Sequence, residues 1–147
     1  MSKIEPKKEL GQHWLHDDEA LSSIVSSAEV GSGDHIIEVG PGLGTLTRKL
    51  VETGAHVVAV EFDDDLASKL TNDQSFDTTE VINVDILSFD LTKMPADYKV
   101  VANIPYYLTG KLLRRLIDTA NRPSKIVFLV QKEVASVSYT HLTLPTR

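Results

Sequence analysis

The sequence predicts an α/β fold built on a parallel sheet, and two observations carry that prediction. Short apolar runs alternate with amphipathic segments at a regular beat, the pattern of strand–helix–strand units. Polar residues then gather where successive runs end, at Glu38 to Gly44, Glu61, Asp85 and Asn103. In open α/β sheets ligands bind along that carboxyl edge, near the switch in strand order. Four such ends point to one crevice.

Taken in order, Lys7-Lys8-Glu9-Leu10-Gly11-Gln12-His13-Trp14-Leu15 follows neither a helical nor a strand period. It reads as an N-terminal arm anchored by the single tryptophan. Asp17 or Asp18 caps a helix to about Ala28, with Ala20, Leu21, Ile24 and Val25 on one face. Gly31-Ser32-Gly33-Asp34 is a turn. The central stretch, Ile36-Ile37-Glu38-Val39-Gly40-Pro41-Gly42-Leu43-Gly44-Thr45, reads as strand, tight turn and helix start. Its glycines allow positive φ and let a ligand approach the main chain. The helix over 46–51 is expected to aim its free N–H groups into the same space. A second strand, 56–61, is apolar almost throughout, as strands covered on both faces are, and ends in Glu61. Asp63, Asp64 and Asp65 start a helix, where negative charge suits the dipole. A third strand, 80–84, ends at Asp85, and a fourth, 98–102, ends at Asn103-Ile104-Pro105-Tyr106. Thr109 or Gly110 opens a helix striped with Leu112, Leu113, Leu116 and Ile117. After the turn Asn121-Arg122-Pro123-Ser124, a fifth strand spans 125–130.

The 147 residues suffice for one domain with a core. No apolar run approaches the ~18 residues that span a membrane, and no apolar segment follows the N-terminal lysines as in a secretory signal. Zero cysteines rule out disulfides and thiolate metal sites and suit a reducing, cytoplasmic compartment. Among the five histidines only His13 and His16 have metal-ligand spacing, and they read as a loop pair, so no metal is expected. A net charge of −6 argues against binding nucleic acid through bulk electrostatics alone.

The glycine spacing, G-x-G-x-G, differs from the G-x-G-x-x-G of dinucleotide binders. Glu61 suits the two hydroxyls of an adenosine ribose, whichever nucleotide is bound. Glu38 places an anion beside the turn, awkward for a pyrophosphate and agreeable for a sulfonium and an α-amino group. Asp85 offers an acceptor to an adenine amine, with Ile86 to pack on the ring. Each acid alone also reads as a helix cap or a solvated loop charge. In Asn103-Ile104-Pro105-Tyr106 the amide oxygen and a neighbouring backbone carbonyl can accept from an exocyclic amine. The aromatic face can stack a base, worth ~1–3 kcal/mol. The same four residues also read as a plain turn with a core aromatic.

Gly11-Gln12-His13-Trp14-Leu15, the stretch from Glu38 to Thr47, Glu61, Asp85 and Asn103-Ile104-Pro105-Tyr106-Tyr107 occur together and in order. With Leu129-Val130-Gln131-Lys132-Glu133-Val134-Ala135 they closely resemble the rRNA adenine dimethyltransferase family, which modifies small-subunit ribosomal RNA with S-adenosylmethionine. The resemblance covers roughly residues 7–135. Gly11-Gln12-His13 is more similar to the housekeeping ribosome-biogenesis branch than to the macrolide-resistance methylases of large-subunit rRNA. The resemblance implies a Rossmann-like class I S-adenosylmethionine-dependent methyltransferase fold. It implies cofactor contacts at His13, Leu15, Gly40, Glu61, Asp85 and Asn103. Asn103, with the carbonyl of Ile104 or Pro105, would hold the target adenine amine, and Tyr106 would stack on its ring. The implied reaction places two methyl groups on the N6 amine of each of two adjacent adenosines. The implied partner is small-subunit rRNA in an immature subunit, met by a monomeric full-length enzyme in the cytoplasm and away from membranes.

The family continues into further strands and a helical C-terminal domain, so an incomplete parallel sheet is expected. Residues 1–136 read as the N-terminal part of the catalytic domain. Residues 137–147 have no family counterpart and resemble a translated transposon-end sequencing adapter. Three expectations follow. The fifth strand becomes a bare apolar edge; the second wall of the adenine pocket is missing; and the chain binds cofactor weakly without methylating. Two other readings share the fold. An NAD-dependent oxidoreductase would retain a nicotinamide dinucleotide, and a non-catalytic nucleic-acid-binding relative would not depend on Asn103.

Overall fold

The structure, a computed structural model, describes residues 18–133 and 136–143. Its strands are β1 His35–Val39, β2 His56–Val60, β3 Glu80–Ile82, β4 Lys99–Pro105, β5 Lys125–Glu133 and β6 Ser136–Thr143. Its helices are α1 Asp18–Ser27, α2 Thr45–Glu52, α3 Asp64–Asn72 and α4 Thr109–Asp118. The strands form one sheet in the order β3-β2-β1-β4-β5-β6. The first five pair in parallel, as the alternation of elements predicts.

Both faces of the sheet are covered, which is why its strands are apolar at consecutive positions. Ile36, Val57, Val101 and Val127 pack against Leu21 and Ile24 of α1 and Leu46 and Leu50 of α2. Their chain neighbours Ile37, Val100 and Ile126 turn to the other face, against Leu112 and Leu116 of α4. This is the period of two that a strand imposes. Tyr98 is fully buried in that second layer, and its hydroxyl donates to the Asn121 carbonyl at 2.8 Å. Asp63 caps α3, accepting from the Leu66 N–H at 3.0 Å. Asp64 and Asp65 occupy the first turn, where the acidic run belongs.

The ends of β3 and β4 differ from expectation. β3 stops at Ile82, because the next residue, Asn83, donates its side-chain amide to the Glu61 carbonyl at 3.1 Å instead of extending the ladder. β4 runs on through Pro105, whereas its pairing with β1 ends at Ala102. Beyond Ala102 only β5 flanks it, up to Pro105 opposite Gln131. A proline fits a strand that is open on one side, and it holds Ile104 extended. The single-turn 3-10 helix Tyr106–Leu108 follows, and α4 starts there.

The fifth strand is not a bare edge. β6 pairs with it antiparallel from Lys125↔Thr143 to Glu133↔Ser136. Ser, Thr, Val and Tyr dominate that segment, and the last three favour extended backbone. An antiparallel neighbour needs only a short connection to fold back.

Candidate functional site at the carboxyl edge

Strand order reverses between β1 and β4: the chain goes outward from β1 to β2 and β3, and from β4 to β5. α2 packs on one face and α4 on the other, so a crevice opens between the carboxyl ends of β1 and β4. A cleft of about 250 Å³ lies there. Gly40 lines it from just past β1, Glu61 and Phe62 from just past β2, Asp85 and Ile86 from the segment after β3, and Asn103 and Pro105 from β4. Val39, Val60, Val84, Ile104 and Leu108 supply an apolar wall.

Gly40 sits where three strands meet. Its N–H donates to the Val60 carbonyl at 3.0 Å, with φ +73°. A Cβ on it would lie 2.6 Å from the Asn103 carbonyl oxygen. Only glycine fits, for reasons of both conformation and space. The turn closes with the Gly44 N–H on the Pro41 carbonyl at 2.9 Å. Gly44 precedes α2 with φ +87°. No residue of α2 lines the cleft, and of the glycine turn only Gly40 does.

Glu61 is buried, and backbone fixes both its oxygens: Oε1 accepts from the Gly42 N–H at 3.1 Å and Oε2 from the Asp63 N–H at 3.0 Å. Each oxygen keeps acceptor capacity for a ligand hydroxyl. Asp85 is exposed; its Oδ1 accepts from the Leu87 N–H at 3.0 Å, capping one 3-10 turn. It is thus a cap and a lining residue at once.

Glu38 is the main correction. Ile36 and Glu38 share one face of β1, so Glu38 turns under α2 while Val39 lines the cleft. Glu38 is fully buried and accepts from the Thr47 hydroxyl at 2.5 Å. Burial, with a smaller push from Glu61, raises its carboxyl to about 8 despite the Thr47 hydrogen bond. It is a neutral acid at pH 7 behind the glycine turn, not an anion beside it.

Residues singled out by sequence therefore share one cleft: Gly40, Glu61, Asp85, Asn103 and Pro105, with Ile86 and Ile104 beside them. Tyr106 does not line it; its ring is 54% exposed just past the cleft wall. His13 and Leu15 lie outside the described residues. Sequence reasoning missed Phe62, 73% exposed. The available signal was a large apolar residue directly after the strand-ending Glu61 and ahead of three aspartates. Among the described residues no cluster of histidines and acids could hold a metal ion, and no helix is long and apolar enough to cross a membrane.

A family model described as "Ribosomal RNA adenine dimethylase" matches residues 4–139. Ribosomal RNA small subunit methyltransferase A of Thermosynechococcus vestitus is 43% identical over 136 residues, which are 89% of this chain and 51% of that protein. The protein of the same name in Streptococcus gordonii is 42% identical over 137 residues, 88% of this chain and 47% of that one. The chain thus spans about half the length of the curated relatives it matches. Among solved structures, the 23S rRNA methyltransferase ErmE superposes with a TM-score of 0.70 at 27% identity, covering 78% of this chain and 46% of that one. A dimethyladenosine transferase from Plasmodium falciparum gives 0.67 at 28%, covering 81% and 43%. An RNA methyltransferase from Salinibacter ruber, solved with S-adenosyl-L-homocysteine, shares the fold with a TM-score of 0.64 at 20% identity, covering 77% and 74%.

Proposed function

Because this chain belongs to the ribosomal RNA adenine dimethylase family, we propose that its cleft binds S-adenosylmethionine and serves N6-dimethylation of two adjacent adenosines in small-subunit rRNA. The observation that carries this reading is the meeting of Gly40, Glu61, Asp85, Asn103 and Pro105 at the switch between β1 and β4. Curated relatives at 42–43% identity are named for small-subunit rRNA methylation.

The residues present fit such a nucleoside. Glu61, held by the Gly42 and Asp63 N–H groups, accepts from the two ribose hydroxyls. Asp85, steadied through one oxygen by Leu87, offers the other to the adenine amine, and Ile86 packs on the ring. Gly40 keeps the floor of the crevice free of a side chain. His13 and Leu15 complete the cofactor contacts. When bound, the cofactor would supply an electrophilic methyl group to the amine held at Asn103, with the sulfonium as its own leaving group.

An adenine amine is a poor nucleophile because its lone pair is conjugated with the ring. The Asn103 side-chain oxygen and the carbonyl of Ile104 or Pro105 accept one N–H each, out of the ring plane. That arrangement favours a pyramidal nitrogen whose lone pair faces the methyl group. The proton leaves to water after transfer, so no strong base is required. Positioning and electrostatics carry the rate. Tyr106, standing outside the cleft wall, stacks on a base that has left its helix. The partner in this reading is rRNA in an immature small subunit, met in the cytoplasm by a full-length enzyme that acts as a monomer.

NMR titration tests this reading and registers weak binding. S-adenosylmethionine is expected to move the amide signals of Gly40, Glu61 and Asn103, and NAD is expected to leave them in place. The reverse result supports an oxidoreductase and ends the proposal.

A further inference from the structure

The two lips of the cleft differ in charge. On the β2 side Phe62 is followed by Asp63, Asp64 and Asp65, all exposed along a neighbouring groove. On the β4 side stand Tyr106 and Tyr107, 54% and 66% exposed, ring edge to ring face at 5.8 Å and 81°. α4 begins two residues later. Leu112 and Leu116 are its buried residues, and Arg115 is committed to the Phe89 carbonyl. Lys111 and Arg114 remain exposed. They lie three positions apart on α4, neighbours on one side of the helix, and Tyr107 stands in the 3-10 turn that leads into it.

We propose that Tyr107, Lys111 and Arg114 form the track for the single-stranded RNA that flanks the base entering the cleft. The proposal rests on the function above and adds where the strand runs. Tyr106 and Tyr107 are nearly perpendicular, so the two rings cannot stack on one base. Tyr106 serves the base at the cleft, and Tyr107 takes its neighbour in the strand. From Thr109, where α4 begins just past Tyr107, to Arg114 the helix rises about 7.5 Å at ~1.5 Å per residue. Lys111 and Arg114 thus meet phosphates on the side of the neighbouring base. The aspartates on the opposite lip repel phosphates, so the strand leaves over α4 and not over α3. In a chain of net charge −6, this local basic strip beside two exposed aromatics supplies a positive contact that the composition as a whole does not.

The test is fluorescence anisotropy of a labelled single-stranded RNA carrying two adjacent adenosines in a pyrimidine context, measured across a salt series with the full chain. Each phosphate contact contributes a slope of about −0.7 in log K against log salt. The Lys111→Gln/Arg114→Gln double variant is expected to flatten the slope by about 1.4 and to weaken low-salt binding at least tenfold. Tyr107→Ala is expected to weaken binding roughly five- to hundredfold with the slope unchanged. An unchanged slope in the double variant overturns the proposal, as does absence of RNA binding by the parent chain. The S-adenosylmethionine titration is run on the same samples. If the Gly40 and Asn103 signals still move while the RNA result is negative, only the track is wrong; if they are still in the parent chain, the cofactor reading fails on its own account.

Discussion

Replacing Glu38 by glutamine should remove a pH dependence from the stability of the fold. The buried carboxyl is raised from 4.5 to about 8. The folded state therefore holds a proton that the unfolded chain has released. Its contribution to stability is complete below 4.5, shrinks as the pH climbs and is lost on passing 8. At about 1.4 kcal/mol per unit, the span is worth on the order of 5 kcal/mol, an upper bound that relaxation around the charged form reduces. Glutamine keeps a carbonyl oxygen for the Thr47 hydroxyl and never ionises. Urea unfolding of both proteins at pH 5 and pH 9 measures the effect. The parent and Glu38→Gln should be close at pH 5, and the variant should be the more stable by several kcal/mol at pH 9. Asp34, Asp73 and Asp90 are held below their usual range, Asp34 by the Gly31 N–H and Lys99 against its own burial, Asp73 and Asp90 by hydrogen bonds from Ser75 and Thr92. Their contributions are lost only in stronger acid and are common to both proteins, so they cancel in the difference. An equal gap at pH 5 and pH 9 would refute the assignment of a neutral acid behind the glycine turn.

Gly40→Ala forces a side chain into left-handed backbone, at about 1–2 kcal/mol. It also drives a methyl group against the Asn103 carbonyl, typically about 1–3 kcal/mol of overpacking. Urea midpoints should fall accordingly, and the S-adenosylmethionine shifts should vanish. Glu61→Gln sets an NH2 group against either the Gly42 or the Asp63 N–H, whichever way the amide turns. About 1–3 kcal/mol of stability should be lost, with ligand affinity, read by the same titration, falling at least tenfold. Asn103→Ala removes a half-buried amide at a strand end, so urea unfolding should change by less than about 1 kcal/mol. Free adenosine added with S-adenosylhomocysteine should then no longer perturb the Tyr106 ring signals.

The parallel sheet was legible because covering both faces leaves a strong mark. Ile36-Ile37, Val100-Val101 and Ile126-Val127 each send neighbours to opposite layers, and such apolar pairs stand out against the acidic starts of the helices. β6 was less legible. A strand paired on one side needs no apolar run, and Val137-Ser138-Tyr139-Thr140 carries only a modest extended preference that the pairing with β5 turns into structure. The end of β4 was misjudged for a related reason. Pro105 reads as a stop, yet a strand flanked by β5 alone at that point tolerates it.

The site was legible as a set of strand ends, less so in the direction each side chain takes. Counting by two from Ile36 places Glu38 under α2, and the same count places Val39 in the cleft; residue type alone suggested the opposite. What residue type did capture is the meeting of Gly40 and Asn103. The Gly40 N–H is tied to Val60 on one side, and its Cα faces the Asn103 carbonyl on the other. The turn assigned to the methyl donor and the strand assigned to the acceptor amine thus lie backbone against backbone, with no room for a side chain between them. A displacement of the turn by a few tenths of an ångström must move Asn103 or compress that contact. Interiors packed this closely transmit strain instead of absorbing it, so under the proposed assignment one backbone contact, and not two separately adjustable half-sites, would set donor against acceptor.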